Sequence, residues 1–78
     1  MMVYLTKPFD DETKESSFRR YTVRKVKAGT RVRYTTLHNK LGQSTTTVVF
    51  CDFPTWEAAY KWLNECVKED RIRGWITK

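Results

Sequence analysis

Between Ser16 and Cys51 the chain contains no acidic residue, although its 78 residues include nine elsewhere. It also has one histidine, two cysteines and three glycines. Each scarcity excludes a class of function. Three glycines cannot form a glycine-rich phosphate loop. Cys51 and Cys66 have neither Cys-x-x-Cys spacing nor further ligands, so no zinc site is expected, and they read as buried free thiols of a reducing compartment. No apolar run resembles a signal peptide or approaches the length of a membrane span. The chain is therefore expected to be a cytoplasmic protein without a membrane segment. His38 stands alone at the end of a strand-like run, and no Ser or Cys has an evident base partner. Asp10-Asp11-Glu12 lacks the glycine turn and spaced oxygens of a calcium loop. An enzyme is not expected, nor a metal or other cofactor.

What the chain does have is positive charge in one place. Arg19, Arg20, Arg24, Lys25, Lys27, Arg31, Arg33 and Lys40 all fall in the acid-free stretch, whereas the flanks are close to balanced. The net charge of +6 therefore arises from one contiguous segment. Solvated faces mix both signs, so a long one-sign stretch is a field directed at an anion, most commonly a nucleic acid.

The same segment carries the clearest strand patterns. Residues 18–26 (FRRYTVRKV) alternate with period two, placing Tyr21 and Val23 on one face and Arg20, Thr22 and Arg24 on the other. Lys27-Ala28-Gly29-Thr30 reads as a turn. Residues 31–38 (RVRYTTLH) place Val32, Tyr34 and Thr36 opposite Arg31, Arg33 and Thr35. A second turn lies around Leu41-Gly42, and residues 44–51 (STTTVVFC) form a third strand. That strand is apolar on both faces at its end, which predicts a central or well-covered position. Thr55 is an N-cap for a helix from about Trp56 to Arg71. Trp56, Ala59, Tyr60, Leu63, Cys66 and Val67 form its apolar stripe. Gly74 ends the helix, and Trp75-Ile76 can fold back onto the open edge of the core.

The expected fold is a small two-layer α+β domain: an antiparallel three-stranded sheet packed on one C-terminal helix, in the order β-β-β-α. Val3 and Leu5 suggest a short N-terminal fourth strand, and residues 6–17 read as a polar loop whose acids could screen the basic face. Residues 1–17 are thus taken as an arm and acidic loop, and residues 18–78 as the domain. Parity then turns Arg20, Thr22, Arg24, Arg31, Arg33 and Thr35 outward, away from the helix. Arginine forks match phosphate oxygens and the guanine edge. These six positions, with Lys27 and Lys40 in the flanking turns, are the candidate nucleic-acid contacts. Trp62, at the border of the helix stripe, is the candidate protein-binding residue.

From Tyr21 to Leu63 the pattern resembles known domains. An arginine-rich strand, a Gly turn, a second basic strand, a Gly turn, a third strand and Phe53-x-Thr55-x-x-Ala58-x-x-x-Trp62-Leu63 are similar to three-stranded-sheet-plus-helix DNA-binding domains. Plant ethylene-response-factor domains and the N-terminal arm-binding domains of phage integrases are of this type. The resemblance implies a sheet in the DNA major groove, with Arg20, Thr22, Arg24, Arg31, Arg33 and Thr35 facing it. Gly42-Gln43, Phe53, Thr55, Ala58 and Gly74-Trp75 also resemble the WGR domain, but Leu41-Gly42-Gln43 stands where Trp-Gly-Arg defines that family. The leading expectation is a non-enzymatic nucleic-acid-binding protein, with duplex DNA favoured and RNA admitted. The alternative is a small inhibitor or adaptor, of the kind phages and mobile elements encode, that docks on an acidic host protein. A sheet edge left free would also allow a homodimer.

Overall fold

The structure, a computed structural model, describes residues 2–78. Five strands and one helix follow in the order β1 (Met2–Asp10), β2 (Glu15–Val26), β3 (Gly29–Lys40), β4 (Gln43–Phe53), α1 (Trp56–Ile72) and β5 (Ile76–Thr77). All strands belong to one antiparallel sheet in the spatial order β4-β3-β2-β1-β5. The expected α+β class, antiparallel sheet and single C-terminal helix are present.

The two central strands form as their alternation predicts. Val26 pairs Gly29 across the Lys27-Ala28 turn. Gly29 adopts φ +144°, and a Cβ there would run into the Phe53 carbonyl, so the turn depends on glycine. Across β2, β3 and β4, Val23, Val32 and Cys51 lie in one row and Tyr21, Tyr34 and Val49 in the next. These side chains face the helix. Thr55 accepts the Ala58 N–H at 3.2 Å and opens α1 as an N-cap. The core consists of Leu5, Tyr21, Val23, Val32, Ala59, Leu63 and Trp75. Trp75 is only 7% exposed, and its N–H donates to the Asp70 carbonyl at 3.0 Å. The chain thus folds back after Gly74, and β5 adds to β1.

Two expectations need correction. The N-terminal strand is nine residues long rather than a short arm, and residues 6–17 are mostly strand. The connecting turn is tight: the Lys14 N–H donates to the Asp10 carbonyl at 2.8 Å, and Asp10 Oδ1 accepts the Glu12 N–H at 2.8 Å. Nor is β4 central. It is an edge strand, with Val48 and Phe50 exposed.

The first departure follows from relative lengths. Seventeen helical residues span about 26 Å, whereas a twelve-residue strand spans about 40 Å. The long dimension of the molecule is 44 Å. The helix reaches Asp70, which meets Arg19 and Tyr21 of β2. From Arg19 and Thr36 outward, the sheet extends past the helix and ends in the 10–14 and 41–42 turns. Strand positions in this overhang have no apolar layer to meet, so no apolar alternation marks them in the sequence. Among the described residues, no helix is long and apolar enough to cross a membrane.

Candidate nucleic-acid interface

Antiparallel register sorts the surface opposite the helix into cross-strand rows about 7 Å apart along the strands. The first row is Arg24–Arg31–Asp52 and the second Thr22–Arg33–Phe50. The third is Tyr4–Arg20–Thr35–Val48, and the fourth Thr6–Phe18–Leu37–Thr46. All six strand positions expected to face away from the helix are therefore on one surface. Among the described residues no helix or further strand covers it.

The six differ in what they have free. Arg31 is already engaged: its Nε lies 2.7 Å from Asp52 Oδ1, and an Nη lies 3.1 Å from Oδ2. Those hydrogen bonds and the guanidinium charge hold the Asp52 carboxyl below its ordinary range. Among the described residues, Arg20, Arg24 and Arg33 make no ion pair. Arg24 and Arg33 are exposed and Arg20 is half-buried. Thr22 and Thr35 stand between them as hydroxyl donors or acceptors. Thr22, Arg24, Arg31, Arg33 and Phe50 line a shallow depression of about 110 Å³.

The two flanking lysines do not join this surface equally. Lys27 lies in the β2–β3 turn, beyond the Arg24–Arg31 row. Lys40 is a correction. Its register places it on the helix side of the overhang, where its Nζ lies 3.4 Å from Glu15 Oε1. Desolvation raises the pKa of the Glu15 carboxyl, but Lys40 and His38 outweigh it and hold that carboxyl below its usual range. The acidic turn likewise serves its own backbone at the far end of the sheet, away from the arginines.

Trp62 is half-buried, with its ring 6.1 Å from Tyr34 and 5.5 Å from Phe53. It packs at the helix–sheet interface, so α1 lacks the exposed tryptophan that a docking patch there would need.

The periodicity reading missed two sets of residues. One is a polar cluster under the end of the helix. Arg19 donates to Asp70 Oδ1 at 2.7 Å, the Tyr21 hydroxyl to Oδ2 at 2.6 Å, and Arg19 Nε to Thr36 Oγ1 at 2.9 Å. The Arg19 guanidinium also sits 4.4 Å from the Trp75 ring centroid. Arg19 is thus one basic residue spent on the fold. The other set is the aromatic side chains among the outward arginines: Phe50 beside Arg33, and Phe18 and Tyr4 beside Arg20. A two-residue turn at Leu41-Gly42 pairs Lys40 with Gln43 and so places Phe50 opposite Arg33. That turn length was the available signal.

A larger hollow of about 560 Å³ lies on the helix side of the overhang, lined in part by Lys7, Arg19, His38, Asp70, Arg73 and Trp75. Its charges are of both signs, and Arg19–Asp70 and Lys40–Glu15 already neutralise one another. Among the described residues no buried polar side chain lacks a partner. Burial, with Asp70, Glu69 and Cys51 nearby, pushes the Cys66 thiol up to about 11, which makes it a poor nucleophile at neutral pH.

The chain matches no protein-family model, no curated protein and no solved structure.

Proposed function

We propose that this protein binds nucleic acid through the outward face of its sheet. The observation that carries the reading is the trio Arg20, Arg24 and Arg33. Among the described residues these three guanidiniums on adjacent strands have no acidic partner, on a face whose neighbouring carboxylate, Asp52, is taken by Arg31. Guanidiniums kept together without counter-charges repel one another, and a polyanion relieves that repulsion. The β2-β3-β4-α1 order also supports the likeness to three-strand-plus-helix DNA-binding domains, as an analogy of architecture. In this reading the protein is non-enzymatic, and Thr22 and Thr35 add hydrogen bonds to phosphate or base.

Fluorescence anisotropy against labelled DNA and RNA at several salt concentrations tests the proposal. Three or four phosphate contacts predict a slope of log K against log salt of roughly −2 to −3 for a single strand, or −3 to −4 for a duplex. Arg24→Gln and Arg33→Gln should each lower the slope by slightly less than one unit. No affinity for any nucleic acid at low salt overturns the proposal.

One observation favours a second reading. Val48 and Phe50 are 47% and 57% exposed beside these arginines, and Phe and Arg are both enriched at the core of protein interfaces. A protein with an acidic docking surface, as an inhibitor or adaptor would target, then becomes the partner. Co-purification of an acidic protein that is released by salt but not by nuclease would favour it.

A further inference from the structure

We infer that the outward face takes single-stranded rather than duplex nucleic acid, with unpaired bases stacking on Phe50 and Phe18 while Arg20, Arg24 and Arg33 hold the phosphates. The inference rests on the nucleic-acid reading above and specifies its ligand.

A B-DNA major groove about 12 Å wide admits a two-stranded β-ribbon. Here the arginines lie on β2 and β3, in the interior of a five-stranded sheet. At the rows of Arg20 and Arg33 that sheet is four strands wide, roughly 14 Å before side chains are added, and it narrows to three strands at the Arg24–Arg31 row, because β1 begins at Met2 opposite Thr22 and β5 pairs only with Leu5 and Thr6. With β1 on one flank and β4 on the other, Arg20 and Arg33 cannot be carried together to the floor of a groove. They can reach only what lies across the face.

Duplex bases hide their π faces, whereas a single strand presents them. Phe50 is 57% exposed on the outer side of an edge strand, next to Arg33 in its row. The Arg31 guanidinium lies 5.6 Å from its ring centroid and is fixed there by Asp52. One side of the ring is thus supported and the rest is open, which is the arrangement of a stacking platform. Two rows along the strands, Phe18 packs against Tyr4 with ring centroids 5.7 Å apart, and Lys78 Nζ lies 5.8 Å from the Phe18 centroid. Phe18, Arg20, Thr35, Leu37 and Thr46 border a second shallow depression. The two aromatic platforms are roughly 17 Å apart by strand geometry. The row holding Arg20 and Thr35 lies between them, and Arg33 shares the row of Phe50, so each platform has a guanidinium within one row.

The test uses fluorescein-labelled oligo(dT), oligo(rU) and a self-paired DNA duplex of equal length, with wild type, Phe50→Leu and Arg33→Gln. Leucine keeps an apolar side chain at an exposed position and removes only the π face, so folding is not at issue; circular dichroism confirms it. Wild type should bind a single strand more tightly than the duplex. Phe50→Leu should weaken single-strand binding about tenfold, the scale of one lost base–aromatic stack, without changing the salt slope. Arg33→Gln should reduce that slope by about 0.7. Relative affinity for oligo(dT) and oligo(rU) then separates DNA from RNA, either of which supports the inference. Tight duplex binding that is indifferent to Phe50→Leu would overturn the stacking inference and leave the nucleic-acid reading standing. Failure to bind any of the three probes overturns both.

Discussion

Asp70 carries an unusual share of the architecture for one surface-type residue. It is 6% exposed, accepts from both Arg19 and Tyr21, and its backbone carbonyl receives the Trp75 N–H. One residue therefore ties the end of α1 to the middle of β2 and positions the tryptophan that closes the core. Burial lowers the pKa of the Arg19 guanidinium, but the hydrogen bond and charge of Asp70 more than compensate, so its pKa stands above the ordinary value. Burial and the same carboxylate push the Tyr21 phenol well above its usual range. Removing the carboxylate charge leaves Arg19 half-buried and uncompensated. Asp70→Asn keeps the shape and one acceptor, and should cost about 2–3 kcal/mol, toward the lower end for a broken buried pair. Urea unfolding checks it: the midpoint should fall with the slope unchanged. A change below about 0.5 kcal/mol, the usual range for a surface substitution, would show that the cluster is incidental.

At the scale of elements, legibility followed coverage. Helix α1 was readable because most of its stripe meets the core: Ala59 and Leu63 are buried, Trp56, Cys66 and Val67 pack beside them together with Trp62, and Thr55 and Gly74 bound the helix as their chemistry requires. β2 and β3 were readable where the helix lies over them, from Tyr21 to Val23 and from Val32 to Tyr34. The hairpin of β1 and β2 was not, because Lys7, Glu15, Ser16 and Ser17 sit on the overhang, where either face tolerates polar residues. The apolar run in β4 misled for a related reason. Val49, Cys51 and Phe53 turn toward the helix while Val48 and Phe50 turn outward, so two apolar faces meant one covered face and one left open. The β3–β4 turn adds a local conflict. Leu41 at φ +51° and Gly42 at φ +80° make a two-residue hairpin loop with both residues left-handed, a geometry that favours Asn-Gly. Leu41 is 72% exposed and gains little from packing in return. Leu41→Asn should therefore stabilise the fold by about 0.5–1 kcal/mol, visible as a higher thermal midpoint. A fall would mean that Leu41 makes a stabilising contact that exposure alone does not reveal.

Across the whole molecule, the arrangement of charge sets the face proposed to bind apart from the ion pairs that serve the fold. Arg19, Lys40 and Arg31 each have a carboxylate, at Asp70, Glu15 and Asp52. Arg20, Arg24 and Arg33 have none among the described residues, and Arg24 lies directly opposite Arg31 in the register. Like charges opposed across strands cost roughly 0.2–1 kcal/mol each. If this face is kept for a polyanion, its repulsion is a stability penalty that the isolated protein carries until it binds. The combined variant Arg20→Gln, Arg24→Gln and Arg33→Gln should then lose nucleic-acid affinity while its thermal midpoint at low salt stays level or rises. A gain of about 1 kcal/mol would appear as roughly 4–8 °C in a domain of this size. Glutamine retains part of each aliphatic stem, which limits the packing lost when the charge is removed. Added salt provides the internal control. Screening should raise the wild-type midpoint and have less effect on the variant, because the repulsion that salt relieves has already been removed. A variant that melts lower than wild type at low salt would place these guanidiniums among the structural residues, and the one-signed face would lose its claim to be a binding surface.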